Sequence, residues 1–235
     1  MVESLTRGRI AGSDGAHLDP DLRRGAIRRT RGWRPIFGQA GAAQSHLARH
    51  RVGRGDLFLF FGTFRHAEKY GNAFRFVRSA PRLHVIFGWL QVAEVRPVSD
   101  VLAREIPWAE RHPHLSEPER YKSNTLYLAN ERLSSLDLNH PGGGIFDQLR
   151  PELILTESNP YSGCATWMLP RWIHPRTRTP LSYHSRLNRW TDCAESVRLR
   201  SAYPGQEFVL DLDEYPEAYD WLRGIFPPLE RSASN

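Results

Sequence analysis

Runs of apolar residues separated by long polar segments are the main pattern along this chain. The two longest runs are Asp56–Phe61 (DLFLFF) and Leu83–Val95 (LHVIFGWLQVAEV), and each is typical of a β-strand. Asp56–Phe61 is apolar on both faces, which predicts a central strand of a sheet. Gly88 interrupts the second run and predicts a β-bulge or a barrel corner there.

Shorter patterns predict further strands and a few short helices. A short packed helix is expected within residues 35–51, and Ser99 is expected to cap a helical turn that runs through Arg104. The other expected elements are strands at Thr125–Ala129, Leu153–Thr156 and Gln206–Leu212, a sharp turn at Gly142–Gly144 and a helix within Glu214–Gly224.

Many short strands joined by long polar loops predict one mixed, β-rich α+β domain with peripheral short helices. We expect this domain to span residues 16–226, with flexible ends at 1–15 and 227–235. No stretch approaches 18 consecutive apolar residues, and the first ten residues lack the apolar run of a signal peptide. The sequence therefore predicts a cytoplasmic protein with no membrane partner.

The charge of the chain admits two interpretations. Its 235 residues include 32 basic and 26 acidic ones, and only Lys69 and Lys122 among the basic ones are lysines. An arginine excess can reflect the codon usage of a GC-rich genome, or it can serve phosphate recognition, because a guanidinium binds two phosphate oxygens at once. The two cysteines exclude a disulfide scaffold and a four-cysteine zinc site.

The first polar constellation lies in Ala16–Leu22 (AHLDPDL). His17, Asp19 and Asp21 alternate, so an extended backbone would direct all three side chains to one side. Such a trio suits a divalent metal or acid–base work, although Asp-Pro-Asp is also ordinary turn chemistry.

Two further constellations are rich in histidine and glutamine. Gln39, Gln44 and His46 flank a stretch of small residues, where side-chain amides can read a base edge or simply satisfy backbone groups. His112-Pro113-His114 can chelate a metal if a third ligand comes from elsewhere, but such pairs are more often plain surface loops.

A fourth constellation lies at expected strand ends and among aromatic residues. Arg65 follows the first strong strand and Glu157 follows the Leu153–Thr156 segment, positions where a β-rich scaffold presents chemistry. Trp167, Arg171 and Arg189 belong to segments that interleave aromatic and guanidinium groups, a pattern that suits base stacking and phosphate contact. Buried tryptophans with surface arginines would give the same pattern.

Several well-known motifs are absent. The chain has no phosphate-binding GxxxxGK[ST] loop, no GxGxxG, no HExxH and no GxSxG elbow. Ordinary ATP and dinucleotide folds are therefore disfavoured, and no sequence motif specifies a cofactor.

Taken in order, a series of segments resembles the third family of bacterial nucleotide-modification-associated domains. The match runs over about residues 16–224 and is carried by HLDPDL, FGQAGAAQSHL, GDLFLFFGTFR, HVIFGWLQVAEV, HPHL, LILT, WMLP and GQEFV. The resemblance implies a role beside nucleotide or DNA modification and does not specify a reaction. It also implies a short strand upstream of the HLDP element, for which residues 1–15 show no pattern.

A weaker resemblance covers residues 53–96. Gly-Asp, an apolar strand, a polar excursion and a second strand through Gly88 are similar to the core of PUA-like barrels of the EVE and ASCH groups. The resemblance implies a barrel-type core and is an analogy for the fold, not evidence of activity.

Three functions remain open from the sequence. The first is recognition or processing of a nucleotide or base, modified or not, in DNA, with His17, Gln39, Gln44, Arg65, Trp167, Arg171 and Arg189 as nucleotide-binding candidates. The second is a base- or nucleotide-modifying transferase or hydrolase with Asp19, Asp21, His46, His114 and Glu157 as acid, base or metal ligands. The third is a non-catalytic scaffold.

Overall fold

Ten β-strands in three sheets make up most of the regular structure of the residues described. The structure is a computed structural model that describes residues 1–159, 161–202 and 207–226. The largest sheet contains β1 (Ile36–Gln39), β2 (Leu57–Arg65), β5 (Arg82–Pro97), β6 (Thr125–Ala129) and β7 (Gly143–Ile145). The two smaller sheets contain β3 (Ala67–Tyr70) with β4 (Ala73–Phe76), and β8 (Thr166–Pro170) with β9 (Trp190–Asp192) and β10 (Ser196–Arg200).

The helices are short and lie around the sheets. They are α1 (Val2–Thr6), α2 (Gly41–Arg49), α3 (Asp100–Glu105), α4 (Pro113–Ser116) and α5 (Ala218–Ile225). Single 3-10 turns occur at Arg24–Ala26, Pro107–Ala109, Pro118–Arg120, Ser134–Leu136, Pro151–Leu153, Arg171–Ile173 and Leu187–Arg189. The prediction of one mixed, β-rich α+β domain is confirmed.

The ends of the chain were expected to be flexible. Residues 1–15 contain α1, and the flexibility of this segment stays a prediction. Residues 227–235 lie outside the residues that the structure describes. Within those residues, every helix is too short or too polar to cross a membrane.

Strand β5 organises the large sheet, whose main path runs β1-β6-β5-β2 with antiparallel neighbours. Its first half pairs with β2, and residues 92–97 pair with β6. Gly88 lies opposite Phe60 while Ile86 lies opposite Phe61, so Phe87 is the extra residue of a bulge. The prediction of a bulge at the Gly88 interruption is confirmed.

The prediction that the first apolar run is a central strand is wrong. β2 lies at the edge of the sheet path, next to β5. Its two-sided apolar pattern has another cause, since both faces are covered: Phe58 and Phe60 pack with one hydrophobic cluster, and Leu57, Leu59 and Phe61 pack with a second cluster on the other face. A strand whose two faces are both covered shows the same apolar sequence pattern as a strand that is paired on both edges.

Three smaller predictions need correction. The expected turn at Gly142–Gly144 overlaps β7, because glycine at 143 and 144 lets this strand lie against Pro35 and Trp89. Leu153–Thr156 makes only isolated bridges, Val85 to Ile154 and Thr156 to Trp167. Glu207–Leu212 belongs to no strand; Val209 instead bonds through its backbone to Ser182. Gln206 lies outside the described residues.

The predicted helices are confirmed with shifted bounds. α2 occupies only the second part of the segment 35–51, because β1 takes the first part. Ser99 caps α3 by accepting a hydrogen bond from the Leu102 N–H at 3.2 Å. α5 begins at Ala218, later than the start of the expected segment.

Strands β1 and β6 separate two hydrophobic clusters. Ile36, Leu126 and Leu128 face the cluster that contains Leu102 of α3. The alternate residues Phe37 and Tyr127 face the cluster under α2. Because side chains alternate along a strand, Gly38 lies on the same face as Ile36, and the candidate site forms on that face.

Candidate active site

The segment before β1 is held against it as an additional extended strand. Asp21 N–H donates to the Ile36 carbonyl at 2.8 Å, and Ile36 N–H donates back to the Asp21 carbonyl at 3.0 Å. Two residues earlier, the Asp19 carboxylate accepts the Gly38 N–H at 2.9 Å through Oδ1. This pairing places the Asp19 carboxylate beside Gly38 of β1.

Helix α4 brings two histidines to the same place. His112 caps α4 by accepting the His114 N–H with its Nδ1 at 3.4 Å, and both side chains are buried. The His114 ring lies flat on Gly38, since a Cβ there would be 2.4 Å from His114 Cδ2. Only glycine at position 38 lets the ring approach β1 this closely.

Asp19 is thus surrounded by three histidines, which we call the Asp19 cluster: His17, Asp19, His112 and His114. Asp19 Oδ2 is 3.3 Å from His114 Nε2 and 3.9 Å from His17 Nε2, while Oδ1 is 3.5 Å from His112 Nε2. The Asp19 side chain is 8% exposed, whereas that of His17 is 53% exposed. The cluster is therefore buried on the side of α4 and reaches solvent at His17.

Two residues just before β6 support the cluster. Asn124 Oδ1 contacts His114 Nδ1, and its Nδ2 donates to the His114 carbonyl at 2.9 Å. The Tyr121 ring is stacked on the His114 ring, with 4.3 Å between centroids and 3° between planes. Nothing in the sequence pattern marks these two residues; only their position next to β6 places them beside β1.

The cluster favours an ionised carboxylate. Burial raises the pKa of Asp19, but hydrogen bonds from His112 and His114, the charge of His112 and the Gly38 N–H outweigh burial and lower the pKa to about 2. Burial likewise lowers the pKa of His114, but its hydrogen bonds with Asp19 and Asn124 raise it above the usual value. Asp19 is a carboxylate at neutral pH.

Asp21 does not join the other two members of the predicted trio. Its carboxylate accepts from Arg29 Nη1 at 2.7 Å and from Trp33 Nε1 at 3.2 Å, and Arg29 lies over the Trp33 ring. The Asp21 and Arg29 side chains are only 3% and 7% exposed. This buried ion pair holds the loop that precedes β1.

The glutamines and histidine around the small-residue stretch are occupied by other contacts. Gln39 Nε2 donates to Glu207 at 2.6 Å, while its Oε1 accepts the neighbouring Ala40 N–H. Gln44 accepts the Tyr127 hydroxyl at 3.0 Å inside the core. His46 Nε2 contacts Ser182 Oγ at 3.0 Å, a contact that does not involve Asp19. Burial, together with the nearby charges of His50 and Arg49, lowers the pKa of His46.

The candidates at strand ends also have structural partners. Glu157 accepts from Arg198 and from Ser162, and these two hydrogen bonds lower its pKa. Trp167 is buried, and its Nε1 donates to His84. The guanidinium groups of the other three candidates donate to backbone carbonyls: Arg65, Arg171 and Arg189. Their roles in nucleotide binding stay predictions.

A groove lined by arginines includes the residue that precedes His112 of the Asp19 cluster. It has a volume of about 450 Å³, and Arg28, Arg31 and Arg111 line it. These three side chains are exposed and make no hydrogen bond or ion pair within the described part of the chain. Arg111 directly precedes His112, and its side chain lines the groove whereas that of His112 is buried in the cluster.

A larger cavity of about 940 Å³ lies elsewhere, between β2 and residues 207–214. Its walls are mostly aromatic and aliphatic, with Glu207 and Asp211 among its polar residues. Trp167 is the one predicted site residue in its described lining. Size alone would favour this cavity, but the convergent histidines lie in the Asp19 cluster, so we place the site there.

Comparison with known proteins gives one positive result. A family model described as nucleotide modification associated domain 3 matches residues 1–211. Neither the curated proteins nor the solved structures gave a match. The likeness of residues 53–96 to PUA-like barrels therefore stays a prediction.

The position of Asp21 leads to a stability prediction. Asp21→Ala leaves the buried Arg29 guanidinium without its partner, and breaking a buried ion pair in this way costs about 3–5 kcal/mol. Urea unfolding measures the loss. Asp220→Ala is the matched control, because its pair with Arg223 is 89% exposed on the Asp220 side and should change stability by less than about 0.5 kcal/mol. Equal losses for both variants would contradict a structural role for Asp21.

Proposed function

Because this chain belongs to the nucleotide modification associated domain 3 family, we propose that it is an enzyme that modifies a nucleotide or a base, and that the Asp19 cluster is its reaction centre. One observation carries the proposal: a buried carboxylate in contact with three histidine rings, open to solvent at one of them. Structural carboxylates such as Asp21 are instead paired with arginine in this chain.

Two atoms of the cluster are placed to hold a proton or a cation between them. Asp19 Oδ2 and His114 Nε2 are 3.3 Å apart, so a proton or a cation can be held between them. His17 is the member that solvent reaches, which makes it the one to contact an incoming substrate. Convergence of such groups beside an accessible surface is what acid–base or metal-assisted transfer and hydrolysis require.

The arginine groove supplies the recognition of an anionic substrate. Three exposed guanidinium groups at Arg28, Arg31 and Arg111 can bind phosphate oxygens in pairs, and Trp108 lies in the same groove. Because Arg111 directly precedes His112, we place the phosphates of a bound nucleotide in the groove and its base or sugar toward the Asp19 cluster. A polymeric substrate such as DNA would bind through the same phosphate contacts.

A function limited to reading a base is less well supported. Gln39 and Gln44, which would read the base edge, already use their amides in hydrogen bonds to Glu207, Ala40 and Tyr127. Three aromatic side chains are candidates for stacking on a base: Trp33 and Trp89 are only 5% and 6% exposed, whereas Phe64 is 46% exposed. Base reading by the glutamines and the two tryptophans is therefore disfavoured.

Enzyme activity is tested by mass spectrometry of nucleosides from cells with and without the protein. We expect one nucleoside to appear or disappear when the chain is present. Asp19→Asn and His114→Gln should abolish the change, because a positioned acid–base group contributes about 10²–10⁴-fold to a rate. His66→Gln is the matched control, since His66 is exposed and outside the cluster. An unchanged nucleoside profile, with the chain folded and abundant, would contradict the enzyme and favour a reader or scaffold.

The arginine groove is tested by the salt dependence of DNA binding. Arg28, Arg31 and Arg111 are changed together to Ala, and binding of a fluorescent single-stranded oligonucleotide is measured by anisotropy at several salt concentrations. Each arginine that neutralises a phosphate contributes about 0.7 to the slope of log K against log salt, so the slope should fall by about two.

The control for the groove is an equal loss of charge elsewhere on the surface. Arg75, Arg104 and Arg223 are exposed and outside the groove, and their replacement by Ala gives the same net charge as the groove variant. The salt slope should then stay close to that of the unaltered chain. Equal slopes for the two triple variants would show that the groove has no special role.

A further inference from the structure

We propose that the Asp19 cluster binds one divalent transition-metal ion through His17 Nε2, Asp19 Oδ2 and His114 Nε2. The inference deepens the proposed function, on which it rests for the identity of the substrate but not for the presence of the ion. The three side chains each offer a ligand atom, and these atoms lie within 4.8 Å of one another.

The separations fit a common ion. Two ligand atoms about 2.1 Å from a zinc ion at a tetrahedral angle are about 3.4 Å apart. Asp19 Oδ2 is 3.3 Å from His114 Nε2 and 3.9 Å from His17 Nε2. The longer distance involves His17, the one exposed ligand, whose side chain can adjust by a few tenths of an ångström without disturbing the core.

The two oxygens of Asp19 have different neighbours. Oδ1 accepts the Gly38 N–H at 2.9 Å and faces His112 Nε2 at 3.5 Å. Within the described residues, the ion-pair partners of Oδ2 are the Nε2 atoms of His114 and His17. The carboxylate is therefore held through one oxygen and offers the other to an ion.

Asn124 fixes which nitrogen of His114 is available. Because its Nδ2 donates to the His114 carbonyl, its Oδ1 faces His114 Nδ1, which must carry the hydrogen. In the neutral ring the lone pair is then on Nε2, directed at Asp19 Oδ2. Two lone pairs repel at that distance, so the position between these atoms suits a proton or a metal ion, and orientation of the ring by an outer partner is typical of metal-binding histidines.

His112 is a supporting residue and not a ligand. Its Nδ1 accepts the His114 N–H, which leaves the hydrogen on Nε2, pointing toward Asp19 Oδ1. At 3.5 Å this contact is at the long limit of a hydrogen bond, and His112 Nε2 has no shorter partner among the described residues. His112 therefore helps to hold the carboxylate through Oδ1 and leaves Oδ2 available.

The ligand set selects the class of ion. Two imidazoles and one carboxylate suit zinc or ferrous iron, whereas magnesium and calcium prefer oxygen ligands. Three protein ligands leave at least one coordination position open, on the exposed side at His17. An ion there would polarise a bound water molecule or a substrate oxygen.

The test is a titration of the full chain with Co²⁺, after dialysis against a chelator, followed by visible absorption. We expect one ion per chain, displaced by Zn²⁺ and not by Mg²⁺. His17→Gln, the ligand substitution least able to disturb folding, should weaken binding by more than about 100-fold, while Asn124→Ala and His112→Gln should weaken it by about 10- to 100-fold. His66→Gln should leave it unchanged.

Each result has a defined meaning. Absence of a Co²⁺ spectrum, or a spectrum unaffected by His17→Gln in a folded chain, overturns the metal site. Binding that His66→Gln weakens as much as His17→Gln also overturns it. If the ion binds as expected but the nucleoside profile does not change, the proposed function fails and the metal site stands. If nucleosides change without any bound ion, the opposite holds.

Discussion

The backbone pairing of Asp21 with Ile36 determines where the residues of the site lie. It aligns the segment before β1 antiparallel to β1, so that Asp19 falls opposite Gly38. On its other edge β1 pairs with β6 in a register that sets Gln39 opposite Thr125, which brings Asn124 to the end of the same strand. These two hydrogen-bond registers therefore determine the positions of Asp19 and of Asn124, the residue that contacts His114.

The contacts within the cluster offset the burial of its charge. Burial removes hydration from a carboxylate and two histidines, and for Asp19 the hydrogen bonds and the charge around it outweigh that loss. The chain holds them in place with rigid elements: a glycine that admits the His114 ring, an aromatic ring stacked on it, and the cap of α4. The nearby Asp21–Arg29 pair shows the alternative, in which a buried acid simply stabilises a loop.

Local pattern predicted much of the fold and part of the site. Thr125–Ala129 was predicted with its observed bounds, and the bulge at Gly88 followed from glycine within an apolar run. β2 was misjudged because a strand covered on both faces resembles a strand paired on both edges.

In the site, Asp19 and His114 were both candidates, but alternation alone wrongly grouped Asp21 with Asp19. Asp21 instead finds Arg29, a partner eight residues away that no spacing rule identifies. Asn124 carries no signal in the sequence, because its role depends on the register of β1 with β6. The arginines at 28, 31 and 111 could be counted from the sequence, whereas their meeting in one groove is a property of the fold.

The most direct measurement is a crystal structure of the full chain grown with Co²⁺, with diffraction recorded on both sides of the cobalt absorption edge. The account predicts one anomalous peak about 2.0–2.2 Å from His17 Nε2, Asp19 Oδ2 and His114 Nε2. His112 should lie outside the coordination sphere, with its Nε2–H on Asp19 Oδ1. A cluster without a peak, with His114 Nε2 bonded directly to Asp19 Oδ2, or a cobalt ion bound only at other side chains, would contradict it.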